Sequence, residues 1–200
     1  MKLWNRILIF LFIVIDVWYV MDRLLRGVYD RLEIAFAVIP VLLGPWLIKK
    51  ILHYEMSETL KFVYYLFTFA CVILGSIINL YNIPETMWFD KVTHFISGFL
   101  TSIIALLLLK HGKVTVKSNW FIPMFVILFS VGVAGFWEFF EYLSDMITGG
   151  DTQHALTSGV DDTMGDMIVA FFASVLFAIY YIYQVHFSKK NKIKELEEHL

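Results

Sequence analysis

The chain has 200 residues, of which 59% are hydrophobic and 17% charged, with a mean hydropathy of +0.70 and a formal net charge of −2. A soluble domain of this length cannot keep that share of apolar side chains from water, so the composition excludes a water-soluble globule and points to one integral membrane bundle. The near-neutral charge excludes the basic surface that nucleic-acid binding requires.

A membrane-spanning helix needs about 20 mostly apolar residues, and six stretches approach that: 4–21, 31–48, 61–80, 91–109, 120–143 and 162–184. The first, ILIFLFIVI after Lys2 and Arg6, has the outline of a signal peptide. Asp16, Trp18 and Tyr19 follow instead of a small-residue cleavage pattern, so it reads as a retained anchor. In the second, Pro40, Gly44 and Pro45 are expected to kink or shorten the helix. The third holds Cys71, the single cysteine, which cannot form an internal disulfide and reads as a packed thiol. The fourth opens with FDKVTHFISGF, the fifth ends in GFWEFFEYLSD, and the sixth begins with GVDDTMGDM. The fold class is therefore all-α: a polytopic bundle of six spans over 1–188, with a charged tail at 189–200.

The loops set the direction. Lys2, Arg6, Lys49, Lys50, Lys61, Lys110, Lys113, Lys117, Lys189, Lys190, Lys192 and Lys194 fall on one side, which puts both termini in the cytoplasm. Arg23, Arg26, Arg31 and Lys91 fall on the other. The arginines read either as a grip for an anionic group or as partners of Asp22, Asp30 and Glu33, the second being the simpler account. The acids fall the opposite way. Thirteen of the 18 lie on the outer loops or outer span ends, with only Glu55, Glu58 and three tail glutamates inside. Trp18, Trp88, Trp137 and Tyr142 fit an outer aromatic belt.

Three pairs stand at one membrane depth. Asp90 and His94 are four apart, Glu138 and Glu141 three apart, and Asp162 and Asp166 four apart, so each pair shares a helix face. Sequential helices tend to pack together, so these faces are expected to meet in one outer cavity, with His154 placed to cover it. Five carboxylates around a histidine cannot all be ionised without compensation. The relief is a divalent metal, an internal Lys or Arg, or protonated carboxyls. A divalent ion held by Asp90, His94, Glu138, Glu141, Asp162 and Asp166 is the favoured option, since oxygen-rich sites with His suit Mg, Mn, Zn or iron. The competing account is a hydrogen-bonded network that only joins the helices. No GxxxxGK[ST], HExxH or GxSxG motif is present.

FDKVTHFISGF, WEFFEYLSD and GVDDTMGDMIVAF together resemble the YjdF-like bacterial inner-membrane proteins, a family of unknown function, over about residues 85–180. More distantly the chain is similar to the VanZ-like membrane proteins at Asp90, Lys91, His94, Glu138 and Asp162. It departs at Glu141, where those carry Gln, and at Asp166, where they carry Asn. The resemblance implies a multi-pass protein of the bacterial cytoplasmic membrane. Three functions are consistent with the residues. The first is metal-assisted chemistry on a lipid or lipid-linked envelope substrate, with His94, Glu138 and Asp162 as acid, base or stabilising groups. The second is a non-catalytic envelope scaffold or binding protein. The third is an ion- or proton-coupled transporter, disfavoured because the inner halves of the last three spans carry no charge.

Overall fold

The computed structural model describes residues 2–28, 33–83, 85, 88–116, 118, 120–188 and 193. Asp30, Arg31, Lys117 and the tail, apart from Ile193, lie outside the described residues. Every regular element described is helical. The chain divides into two compact units that part between Phe89 and Asp90.

The first unit contains α1 (Leu3–Leu25), α2 (Glu33–Leu52) and α3 (Glu58–Phe69), which runs on as a π-helical segment, Ala70–Ile77. Ser57 caps α3 by accepting a hydrogen bond from Leu60 N at 3.1 Å. Phe12, Val38 and Ile73 form the buried core, with Phe69 edge-on to Phe12 at 5.2 Å. Asn5, buried in α1, donates to the Glu58 backbone carbonyl and to Glu58 Oε2 at 3.1 and 3.0 Å, tying the start of α1 to the start of α3.

Helix α2 continues through both Pro40 and Pro45 rather than stopping at them. Pro45 has no N–H to give the carbonyl four residues earlier, that of Val41. Tyr64 Oη supplies the missing donor at 2.9 Å. Gly44 makes the approach feasible, because a Cβ there would lie 2.1 Å from that hydroxyl. Replacing Tyr64 by Phe leaves the Val41 carbonyl unsatisfied in an apolar setting. Thermal unfolding in detergent should register a loss of about 1–2 kcal/mol, and an unchanged Tm would show that the freed carbonyl finds another donor.

The second unit contains α4 (Trp88–His111, entered from Asp90), α5 (Phe121–Thr148), the single turn α6 (Ala155–Ser158) and α7 (Asp161–His186). Among the described residues, four helical stretches are long and apolar enough to cross a membrane: Glu58–Ile77, Trp88–His111, Phe121–Thr148 and Asp161–His186. Phe136, Phe139, Phe140, Leu143, Phe172, Leu176 and Ile179 stay exposed on the outer faces of α5 and α7, which suits contact with lipid.

The buried faces carry small residues in register. On α4 they are His94, Gly98, Ser102 and Ala105; on α5, Val126, Ser130, Ala134 and Glu138; on α7, Asp166, Ala170, Ala173 and Phe177. Steps of three and four keep each set on one face. At Gly98, α4 and α7 almost touch, for a Cβ there would lie 2.5 Å from the Ala170 carbonyl oxygen and 2.8 Å from Ala173 Cβ. Thr101 and Ser130 join α4 to α5 through their hydroxyls at 2.8 Å. Ala105, Leu106, Val126, Phe177 and Ile193 close the far end of the core. Ile193 is thus buried, although it belongs to the stretch expected to be a charged tail.

Helix α5 exceeds expectation. It runs past Leu143 to Thr148 and stops where Gly149 turns left-handed (φ 71°), its N–H bonding the Asp145 carbonyl at 2.8 Å. Twenty-eight residues give about 42 Å, more than a bilayer core of about 30 Å, so the helix must tilt or extend beyond the hydrocarbon.

Candidate functional site

The three small-residue faces end in polar groups at the same level, and Lys91 lies at their centre. Its Nζ donates to Asp162 Oδ1 at 2.6 Å, to Asp166 Oδ1 at 2.8 Å and to Asp90 Oδ2 at 3.1 Å. All three are ion pairs, and Asp166 is almost fully buried. Charge-assisted bonds of this kind are the strong ones. An internal lysine therefore supplies part of the compensation that the acidic pairs require. Lys91, His94 and Gly98 share one face of α4 (i, i+3, i+7), so helical periodicity alone directs Lys91 inward. Its role as hub depends on α7 approaching closely enough to bring Asp162 and Asp166 within reach, which Gly98 permits.

His94 is buried beside this hub. Its Nε2 stands 3.6 Å from Asp90 Oδ1 and 3.9 Å from Asp166 Oδ1. Those separations exceed a hydrogen bond. Asp90, His94 and Asp166 each present a ligand atom within 4.8 Å of the others, the one such group among the described residues.

The remaining acids take different positions. Glu138 is 4% exposed. Gln153 Nε2 donates to its backbone carbonyl at 3.1 Å and to Oε2 at 3.4 Å. Oε1 has no hydrogen-bond partner among the described residues. Glu141 accepts from Trp137 Nε1 at 2.7 Å, one turn back on the same helix, and stands outside the group of three. Asp162 contributes through Lys91 and also stands outside it. Of the six residues expected around one ion, three converge and the other three stand outside that group.

The residue that reaches the cluster from the outer loop is Gln153, one position before the expected His154. Asp145, near the end of α5, accepts from Thr152 N at 2.8 Å, from Gln153 N at 3.1 Å and from the Thr152 hydroxyl. These bonds fold the loop back over α5 and deliver Gln153 to Glu138. His154 heads α6 instead, its carbonyl accepting from Thr157 and Ser158. The sequence signal for this turn is Gly149-Gly150 followed by polar residues, which marks a reversal but not which side chain it delivers.

A family model described as predicted membrane protein (DUF2238) matches residues 4–186. The chain belongs to the DUF2238 family. That match covers both units and all three helices that carry the cluster, and it extends membrane-family membership to the first 80 residues, which hold no motif of their own. No curated protein and no solved structure matches the chain.

Proposed function

We propose that this DUF2238 protein is a six-span protein of the bacterial cytoplasmic membrane. In this reading both termini lie inside, and a divalent cation binds at the outer ends of α4 and α7 through Asp90, His94 and Asp166. The observation that carries the reading is the convergence of these three ligand atoms within 4.8 Å. The composition of the cluster supports it, because three aspartates share a single ammonium. The distances support it as well. Two ligands on one ion, each bonded at about 2.1 Å, stand about 3–3.5 Å apart, so the 3.6 and 3.9 Å gaps from His94 need to close by less than about 1 Å. Two carboxylates and an imidazole suit Mn, Zn or iron.

Such an ion at the outer surface would polarise a phosphoryl or carbonyl oxygen of a lipid or lipid-linked substrate. With His94 committed to the ion, Glu138 and Asp162 are the groups left for acid–base and orienting roles. Against the VanZ-like pattern, Glu141 and Asp166 make this site more acidic, which weakens transfer of a VanZ-like role and favours a cation. The three ion pairs of Lys91 favour a second reading, in which the cluster is a structural knot and the protein a scaffold.

Metal analysis and thermal unfolding of the purified full chain separate the two. Mn²⁺ or Zn²⁺ at a hundredfold excess over Kd should raise stability by about 2.7 kcal/mol, and Asp166→Asn and His94→Ala should abolish the rise. A wild type that binds neither ion and is indifferent to chelator would leave the knot.

A further inference from the structure

Glu138 has an oxygen that no described residue satisfies. The side chain is 4% exposed, Oε2 faces the Gln153 amide, and Oε1 is buried without a partner among the described residues. A buried acceptor left unpaired is costly, and native proteins satisfy such groups with protein, water or ligand. The groups acting on this carboxyl are Thr163 and Gln153, neither of which bonds Oε1, and Asp90 and Asp162, which are acceptors themselves. Water or a ligand bound at the site can supply the missing donor.

We propose that Glu138 Oε1 accepts a hydrogen bond from a water molecule bound to the cation, and that Gln153 is the positioning residue that holds the carboxylate at the correct angle. This inference rests on the cation reading above and goes beyond it. It gives the ion an exchangeable position on the α5 side, bordered by a carboxylate. A hydroxyl or phosphate oxygen of a substrate would replace the water there. It also explains why a loop from the far end of α5 is pinned back by Asp145: the pinning delivers Gln153 to Glu138. Outer-shell partners of this type change metal affinity by about 10- to 100-fold when removed.

Mn²⁺ is the probe, used on the full chain in detergent and on Glu138→Ala, Glu138→Gln and Gln153→Ala. Pulsed EPR of bound Mn²⁺ in D₂O should detect at least one exchangeable coordinated water in the wild type. Glu138→Ala should weaken Mn²⁺ binding about 10- to 100-fold and alter the deuterium signal. Glu138→Gln should retain more affinity than the alanine variant, because its amide oxygen still accepts. Gln153→Ala should fall between the wild type and Glu138→Ala. If Glu138→Ala does not fold, the glutamine and Gln153 variants still decide through the deuterium signal. Unchanged Mn²⁺ affinity and signal in the Glu138 variants would overturn the inference while leaving the cation site standing. A wild type that binds Mn²⁺ with no coordinated water, yet loses it on Glu138→Ala, would make Glu138 a direct ligand and overturn the water arrangement. A wild type that binds no Mn²⁺ would remove both readings.

Discussion

Replacing Lys91 by Met should destabilise the protein by about 2–3 kcal/mol. Removing one partner of a buried ion pair typically costs about 3–5 kcal/mol, and the 35% exposure of the Lys91 side chain reduces that toward the lower figure. The reason is local. Lys91 binds three aspartates at 2.6–3.1 Å, and without it Asp90, Asp162 and Asp166 face one another across a largely buried space. The loss should be partly reversed by a second substitution, Asp166→Asn, which removes one of the repelling charges. It should also be partly reversed by millimolar Mn²⁺, which would take over the role of the ammonium. Thermal unfolding of the single and double variants, with and without Mn²⁺, reads all three effects. A Lys91→Met protein as stable as the wild type would mean that the carboxyls are compensated in another way, by protons above all.

Gly98→Val should be the most damaging single change in α4. A Cβ at this position would lie 2.5 Å from the Ala170 carbonyl oxygen and 2.8 Å from Ala173 Cβ. The obstacle is helix backbone, which cannot rotate aside, so α4 and α7 must separate. Overpacking in a well-packed core typically costs about 1–3 kcal/mol and occasionally more. Here the upper end is expected, because parting the helices also draws Lys91 away from Asp162 and Asp166. Gly135→Ala is the control: its Cβ would meet only Met167 Cε, at 3.7 Å, an ordinary contact with a flexible side chain. In metal titration and thermal unfolding, the Gly98 variant should lose both stability and cation affinity, and the Gly135 variant neither. Equal behaviour of the two would show that the close crossing does not set the site.

These properties divide by origin. The helical character and the length of the apolar stretches follow from local composition, since each run of about 20 apolar residues must satisfy its own backbone in lipid. The pairing of Asp90 with His94, and of Asp162 with Asp166, on single faces follows from helical spacing. Both are legible in the amino-acid sequence alone. The end of α5 is partly legible, because Gly149 marks a stop, yet SDMIT reads as loop from its polar residues while its backbone remains helical.

Tertiary structure decided the rest. Lys91 neighbours Asp90 in sequence, but the 71 and 75 residues separating it from Asp162 and Asp166 are bridged only because Gly98 lets α7 approach. The choice of Gln153 over His154 as the residue that reaches Glu138 depends on where Asp145 fastens the loop. The donor that rescues Val41 from Pro45 comes from Tyr64, on a different helix. Helical periodicity assigns a residue to a face. Which groups meet across two faces depends on how near the helices come and how they are turned, and those are properties of packed side chains rather than of any single segment. The sequence therefore determined that α4, α5 and α7 each carry charge at one level, and the packed structure decided that an ammonium, three aspartates and an imidazole share it.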